Sequence, residues 1–276
     1  MEGPGELTNR AAAPGLTKRP VALVTGASAG IGKVFAQRLA ARGYDVILVA
    51  RDAERLAALA GELTLQFGVD AEVLAADLAR DDGMRSVAER LAQSDRLSFL
   101  VNNAGFGTKG RLVNRPVAEQ ATMLKLHVMA PMLLTRAVLP GMIARANGTI
   151  INVASVASFT YGAGSVNYCA TKAYLRVFSQ ALALELAGSG VHVQALCPGF
   201  TQTEFHDRAA VRKSTIADYL WLDAGFVVDQ SLAQAERRGA TVCVPSLRYK
   251  LIVLGLKYMP GWLKSGAQRK YGKTRV

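Results

Sequence analysis

Apolar positions along this chain fall into two alternating kinds of run. One kind is short and nearly continuous, at 21–25, 45–50, 71–76, 97–101, 149–153, 191–196 and 241–244. A strand that is apolar at successive positions is covered on both faces, as in a parallel sheet between helices. The other kind recurs every three to four residues and predicts helices at 31–42, 52–67, 83–93, 116–145 and 165–187. Strand and helix take turns, so the expected class is α/β with a doubly wound parallel sheet. Ligands of such sheets bind beyond the carboxyl ends of the strands. Chemistry-bearing residues at those ends therefore count for more than the same residues elsewhere.

The chain has 276 residues, half of them hydrophobic, and a mean hydropathy of +0.18. That supports one sizeable core. We expect a mobile leader at 1–19, a single domain at 20–245 with a lid at about 204–235, and a basic amphipathic tail at 246–276. The net charge of +12 is concentrated in the last stretch of this sequence: ten basic residues and no acid follow Glu236, leaving +2 for the rest. The tail's apolar run, 251–259, suits peripheral contact with a membrane surface, or cover for the protein's own body or a neighbouring subunit. No nucleic-acid motif accompanies the charge, so nucleic acid is not an expected partner. No stretch reaches the roughly 18 to 20 apolar residues expected of a spanning helix. Cys169, Cys197 and Cys243 have neither CxxC nor metal-ligand spacing, which points to a reducing, cytoplasmic setting and to no metal site.

The first strand runs into Thr25-Gly26-Ala27-Ser28-Ala29-Gly30-Ile31-Gly32. Glycines between a strand and a helix let backbone N–H groups approach a diphosphate, and the helix N-terminus favours its charge. Gly26, Ser28, Gly30, Ile31 and Gly32 are therefore candidate cofactor residues. The second strand ends in Arg51 where NAD sites usually carry an acid, and a guanidinium matches a 2′-phosphate. That favours NADP(H), with Lys33 assisting; the adjacent Asp52 reads as a helix N-cap. Asp77 closes the third strand and could accept from an adenine amino group, or act as a turn residue. Asn103, in Asn102-Asn103-Ala104-Gly105, closes the fourth.

Tyr168 and Lys172 stand at i and i+4 of a helix and share a face. At about 4 Å and an effective dielectric near 20, an ammonium would favour phenolate by roughly 4 kcal/mol, about three pKa units. That predicts a phenol titrating near neutrality, suited to general acid–base work. Ser155, ending the fifth strand, offers a hydroxyl at the same edge.

With TGASAGIG at 25–32, NNAG at 102–105, Ser155, YCATK at 168–172 and PGFTQT at 198–203, residues 20–245 resemble the short-chain dehydrogenase/reductase family. The resemblance implies a Rossmann-like, seven-stranded parallel sheet and hydride transfer between nicotinamide and a carbonyl/alcohol pair. It implies Tyr168 as proton donor or acceptor and Lys172 holding the nicotinamide ribose while lowering the Tyr168 pKa. Ser155 would polarise the carbonyl, and the segment after Pro198-Gly199, with Thr203, would cradle the carboxamide. A homodimer or homotetramer through the two long helices is also implied. His127 departs from the family, which usually has asparagine there. Pro131 has no N–H for the carbonyl of residue 127, so that carbonyl is free to hold a water; the ring itself is either a packed helix residue or a proton shuttle. Phe205, Tyr219, Trp221, Leu222 and Phe226 of the lid suit either a bulky apolar substrate or the lid's own core. Two other readings remain beside the enzyme: a nucleotide-binding regulator with weakened chemistry, and a membrane-associated scaffold.

Overall fold

The computed structural model describes residues 18–204, 216–258 and 260. The leader up to residue 17, Phe205 and His206 of the lid, Met259 and the chain after Pro260 lie outside the described residues.

Seven parallel strands form one sheet: β1 (Val21–Thr25), β2 (Asp45–Ala50), β3 (Ala71–Ala75), β4 (Leu97–Asn102), β5 (Gly148–Val153), β6 (Val191–Leu196) and β7 (Val242–Cys243). Their order is β3-β2-β1-β4-β5-β6-β7. The chain leaves β1 toward one edge and returns to β4 on its other side, which opens a crevice at the carboxyl ends of β1 and β4. Alternation along each strand feeds two cores. Ala22 and Val24 of β1 join Phe35 and Leu39 of α1 (Gly30–Ala40) and Leu56, Leu59 and Leu63 of α2 (Ala53–Phe67). Val21 and Leu23 face the other way, toward Met84, Val87 and Leu91 of α3 (Asp81–Ala92).

The expected helix at 116–145 is a continuous rod with a wide turn inside it. Val117–Leu124 (α4) leads into a π-helical turn, Lys125–Met129, and then Ala130–Ala144 (α5). The Ala130 N–H reaches back five residues to the Lys125 carbonyl. Pro131 follows four after His127 and five after Leu126, and it donates to neither carbonyl. By length and composition this rod, Val117–Ala144 with an 18-residue window of mean hydropathy 1.4, could cross a membrane. No such stretch was expected from the sequence; Lys125 and Arg136 interrupt its apolar run. Its buried row, Met123, Ala130, Leu134, Val138 and Met142, packs as a body helix on α3, β4 and β5.

Ala224–Glu236 (α7) corrects the expected lid. Its Val227, Val228 and Leu232 are buried in the α1 core, and Arg38 binds Asp229 at 2.8 Å. α7 therefore belongs to the body and not to the expected lid. Val166–Glu185 (α6) and Leu247–Tyr258 (α8) complete the helices used below.

Candidate active site

At the end of β1 the chain turns through Gly26 and Gly30, with φ of +66° and +56°. Both angles belong to the left-handed region that side chains resist. Gly32 is closed differently: a Cβ there would lie 2.2 Å from the Gly26 carbonyl oxygen and 2.5 Å from Asn103 Nδ2. Asn103 is a staple. Its Nδ2 donates to the Thr25 carbonyl at 2.9 Å, and its backbone N–H donates to Thr25 Oγ1 at 2.9 Å. Asn103 lines the cavity, but its amide is spent on holding the glycine turn against β4. No side chain caps α1 at Ala29, so its first N–H groups face the cavity as an anion seat. Ser28, Gly30 and Ile31 line that cavity as expected.

Beyond β2, Arg51 lines the same cavity and makes no ion pair or side-chain hydrogen bond among the described residues. Asp52 is occupied: its Oδ1 caps α2 by accepting from Arg55 N at 3.0 Å, and its Oδ2 lies 3.4 Å from Arg55 Nε. Lys33 does not assist. It pairs with Glu62 of α2 at 3.2 Å, outside the cavity lining. The helical rotation of about 100° per residue after Gly32 carries it there. Asp77 lines the cavity while its Oδ1 accepts from Ala79 N at 3.0 Å, so it is a turn residue in the expected place.

Ser155 follows β5, where its Oγ accepts from Ala157 N at 3.1 Å and caps a short 3₁₀ turn. It also hydrogen-bonds the Tyr168 phenol across the crevice. Lys172 is buried one helical turn beyond, its Nζ donating to the Val153 carbonyl at 2.7 Å and lying 5.9 Å from the Tyr168 ring centroid. The three residues are thus together, but the expected phenol pKa is not found. Burial pushes Tyr168 up to about 12, against a smaller opposing pull from Ser155. Burial pushes Lys172 down to about 8. A pairwise attraction at an assumed 4 Å left out the loss of water around both groups, and desolvation is the larger effect here.

His127 is 1% exposed. Its Nε2 accepts from the Phe106 N–H at 3.0 Å, which puts the ring proton on Nδ1 and directs it to Thr171 Oγ1 at 3.0 Å. Thr171 Oγ1 in turn donates to the Tyr168 carbonyl at 3.0 Å. Burial, with Lys172 nearby, holds the imidazole well below its usual range. A buried ring with both nitrogens engaged fits the packed helix residue better than the shuttle.

The cavity has a volume of about 1230 Å³ and runs from Arg51 past the glycine turn to Tyr168. Its far wall was foreseen only in part: the tail's apolar run was expected as cover for the body, not as a wall of the site. Tyr249, Ile252 and Leu256 of α8 line it, so the start of the tail is part of the site. A Cβ on Gly199 would lie 2.0 Å from Tyr249 Cζ, and the Tyr249 hydroxyl accepts from Phe200 N at 3.0 Å and donates to the Leu220 carbonyl at 2.7 Å. The glycine of Pro198-Gly199 was a legible sign that something approaches closely there; that the visitor would be a tyrosine between two cations was not. Of the apolar residues expected in the lid, Tyr219 and Phe226 are exposed, Trp221 packs on Phe200, and Leu222 is buried beside Thr201. Thr203 lines the cavity beside Gly30.

Residues 20–213 match the short chain dehydrogenase family. The chain is 39% identical over 199 residues to an uncharacterized oxidoreductase, YmfI, of Bacillus subtilis, covering 71% of this chain and 81% of that protein. It is similar to a short-chain dehydrogenase from Sphingobium yanoikuyae solved in complex with NADPH, with a TM-score of 0.79, 36% identity and coverage of 93% and 96% of the two chains. It is also similar to the bulky-bulky ketone specific alcohol dehydrogenase from Comamonas testosteroni, with a TM-score of 0.75, 32% identity and coverage of 94% and 96%.

Proposed function

The chain belongs to the short-chain dehydrogenase/reductase family of oxidoreductases, and from that premise we propose that it transfers hydride between NADP(H) and an apolar carbonyl/secondary alcohol pair, with Tyr168 as general acid/base. The observation that carries the proposal is that the glycine turn, Arg51 and the Ser155–Tyr168–Lys172 group all open on one cavity.

The residues fit a nicotinamide dinucleotide. Gly32 admits no Cβ, so backbone can approach a diphosphate at the uncapped start of α1. Asp77 lines the cavity where it would accept from the adenine amino group, and Arg51 would offer a cation to a 2′-phosphate. The NADPH in the Sphingobium neighbour supports the same preference. When bound, the nicotinamide supplies hydride to the carbonyl carbon or takes it back from the alcohol.

The chain's own residues handle the oxygen and its proton. With its pKa pushed up to about 12, Tyr168 is protonated near neutrality and is a proton donor to a carbonyl oxygen. The Ser155 hydroxyl, hydrogen-bonded to the phenol, would hold that oxygen beside it. Lys172, titrating near 8, carries a charge below that pH that favours the phenolate left behind. A protonated phenol can give its proton to a carbonyl oxygen in reduction, and the reverse step needs the same group as phenolate. The apolar wall of Leu220, Ile252 and Leu256 suits a bulky apolar substrate, as does the likeness to a bulky-bulky ketone specific enzyme.

A homodimer or homotetramer fits the same family, and Val117 and Leu124 of α4 with Val177 and Leu184 of α6 leave exposed apolar rows for it. The regulator reading rested on His127, and a structural task for that ring removes its support. NADPH oxidation with a panel of ketones tests the proposal, with Tyr168→Phe as control. Turnover of bulky ketones that the variant loses is the expected result. A protein that binds NADPH yet reduces no carbonyl would overturn it.

A further inference from the structure

α8 is apolar on two sides, and only one of them belongs to the body. Its inner row, Tyr249, Ile252 and Leu256, lines the cavity. Its outer row is Leu247, Leu251, Leu254 and Tyr258, at i, i+4, i+7 and i+11, with exposures of 71%, 61%, 53% and 72%. Four large apolar side chains in one stripe along three helical turns form a contiguous surface, unlike the scattered apolar residues that any protein exposes. Arg248, Lys250 and Lys257 flank the stripe. No acid follows Glu236, and the sequence beyond Pro260 adds Lys264, Arg269, Lys270, Lys273 and Arg275.

We propose that α8 is an interfacial helix whose outer row docks the protein on an anionic lipid bilayer. The charge selects this occupant. A second copy of α8 would bring the same cations against each other, with no acid in 246–276 to neutralise them. An anionic bilayer takes the stripe into its headgroup region and the flanking cations onto its surface. The Tyr249 hydroxyl fixes the pose by clamping the inner face to Phe200 and Leu220. The helix that meets the lipid is therefore the wall of the cavity. On the functional reading above, on which this one step rests, an apolar substrate dissolved in the bilayer meets the site across a single helix.

Flotation of the full chain with vesicles of equal parts phosphatidylglycerol and phosphatidylcholine tests the docking without any turnover. Three flanking cations at about 1 kcal/mol each raise binding about a hundredfold over phosphatidylcholine alone. High salt should reduce that preference, because the attraction is screened. A variant carrying L251Q and L254Q should melt like the parent, since both side chains are exposed, and should no longer float. K250Q with K257Q should weaken binding to the anionic vesicles and leave the melting temperature unchanged. No binding to anionic vesicles at low salt would overturn the proposal. So would equal binding to neutral vesicles, or an oligomer that the L251Q L254Q variant dissociates, which would give the stripe to a second copy. Because flotation reads lipid alone, a chain that reduces no ketone leaves this test intact.

Discussion

Gly32 and Gly199 are both closed to a Cβ, but by different kinds of neighbour. At Gly32 the obstacle is the Gly26 carbonyl oxygen, 2.2 Å away in the same turn, held in place by the Asn103 staple. At Gly199 the obstacle is the ring of Tyr249, at 2.0 Å and delivered by a separate helix. The cofactor end is thus fixed by backbone against backbone, and the substrate end by one side chain seated on a loop. Backbone can yield only by undoing the turn. A side chain can be exchanged. The first end is therefore the constant part of the machine and the second its variable part.

The largest expected effect follows from the backbone case. Gly32→Ala should cost more than about 4 kcal/mol of stability or abolish NADPH binding. Asn103→Ala should not rescue it, because the Gly26 oxygen remains; urea melts of single and double variants check this. Rescue would place the two glycines in the same class. Next comes the side-chain case. Gly199→Ala should cost about 1–3 kcal/mol by overpacking, and adding Tyr249→Ala should cost less than the two changes summed, with a coupling of about 0.5–3 kcal/mol. Additive values would break the contrast from the other side.

Smaller effects sharpen it. Arg51→Ala should weaken NADPH by about one to two decades, the worth of a charge-assisted hydrogen bond, and leave NADH nearly unchanged. Titration of both cofactors decides, and equal losses would remove Arg51 from the phosphate. Ketone reduction should fall with rising pH. Lys172 loses its charge above about 8, and the phenolate left behind by proton transfer then lacks its cation, so turnover should drop by up to about tenfold per unit through that range. The pH-dependence of NADPH-driven turnover reads this, and a flat profile through that range would separate Lys172 from Tyr168. The smallest effect is expected at His127→Asn. It should keep turnover within a few fold and lower stability by about 1 kcal/mol, the net worth of a hydrogen bond. An inactive variant that folds and binds NADPH would restore the shuttle.

The constant end was the legible one. Strand periodicity placed β1, β2 and β6 to the residue, and Thr25 to Gly32 carried its own signature between a strand and a helix. Such a turn is written in glycines because only they permit it. Lys33 was misjudged because proximity in sequence says nothing of which way a helix turns its side chains, and its partner Glu62 sits on another helix. The Tyr168 pKa failed for a related reason: spacing reveals a neighbour, but burial is a property of the whole fold. At the variable end, α8 carries apolar residues on two sides, and spacing alone does not tell which of them meets the cavity and which is exposed. The lid expectation erred at α7, whose apolar residues serve the α1 core, because composition alone does not name the layer that a helix joins.

Of the three α8 residues on the cavity wall, Tyr249 is tied down by its hydroxyl, while Ile252 and Leu256 touch the space without holding the loop. A change of one methylene in an apolar pocket shifts preference between substrates by about 10- to 200-fold. After gene duplication, the two codons of Ile252 and Leu256 are then enough to give a daughter protein a different diet. The glycine turn, the Asn103 staple and the Ser155–Tyr168–Lys172 group would be inherited untouched. A small library randomised at Ile252 and Leu256 alone would reach that divergence in one round of selection.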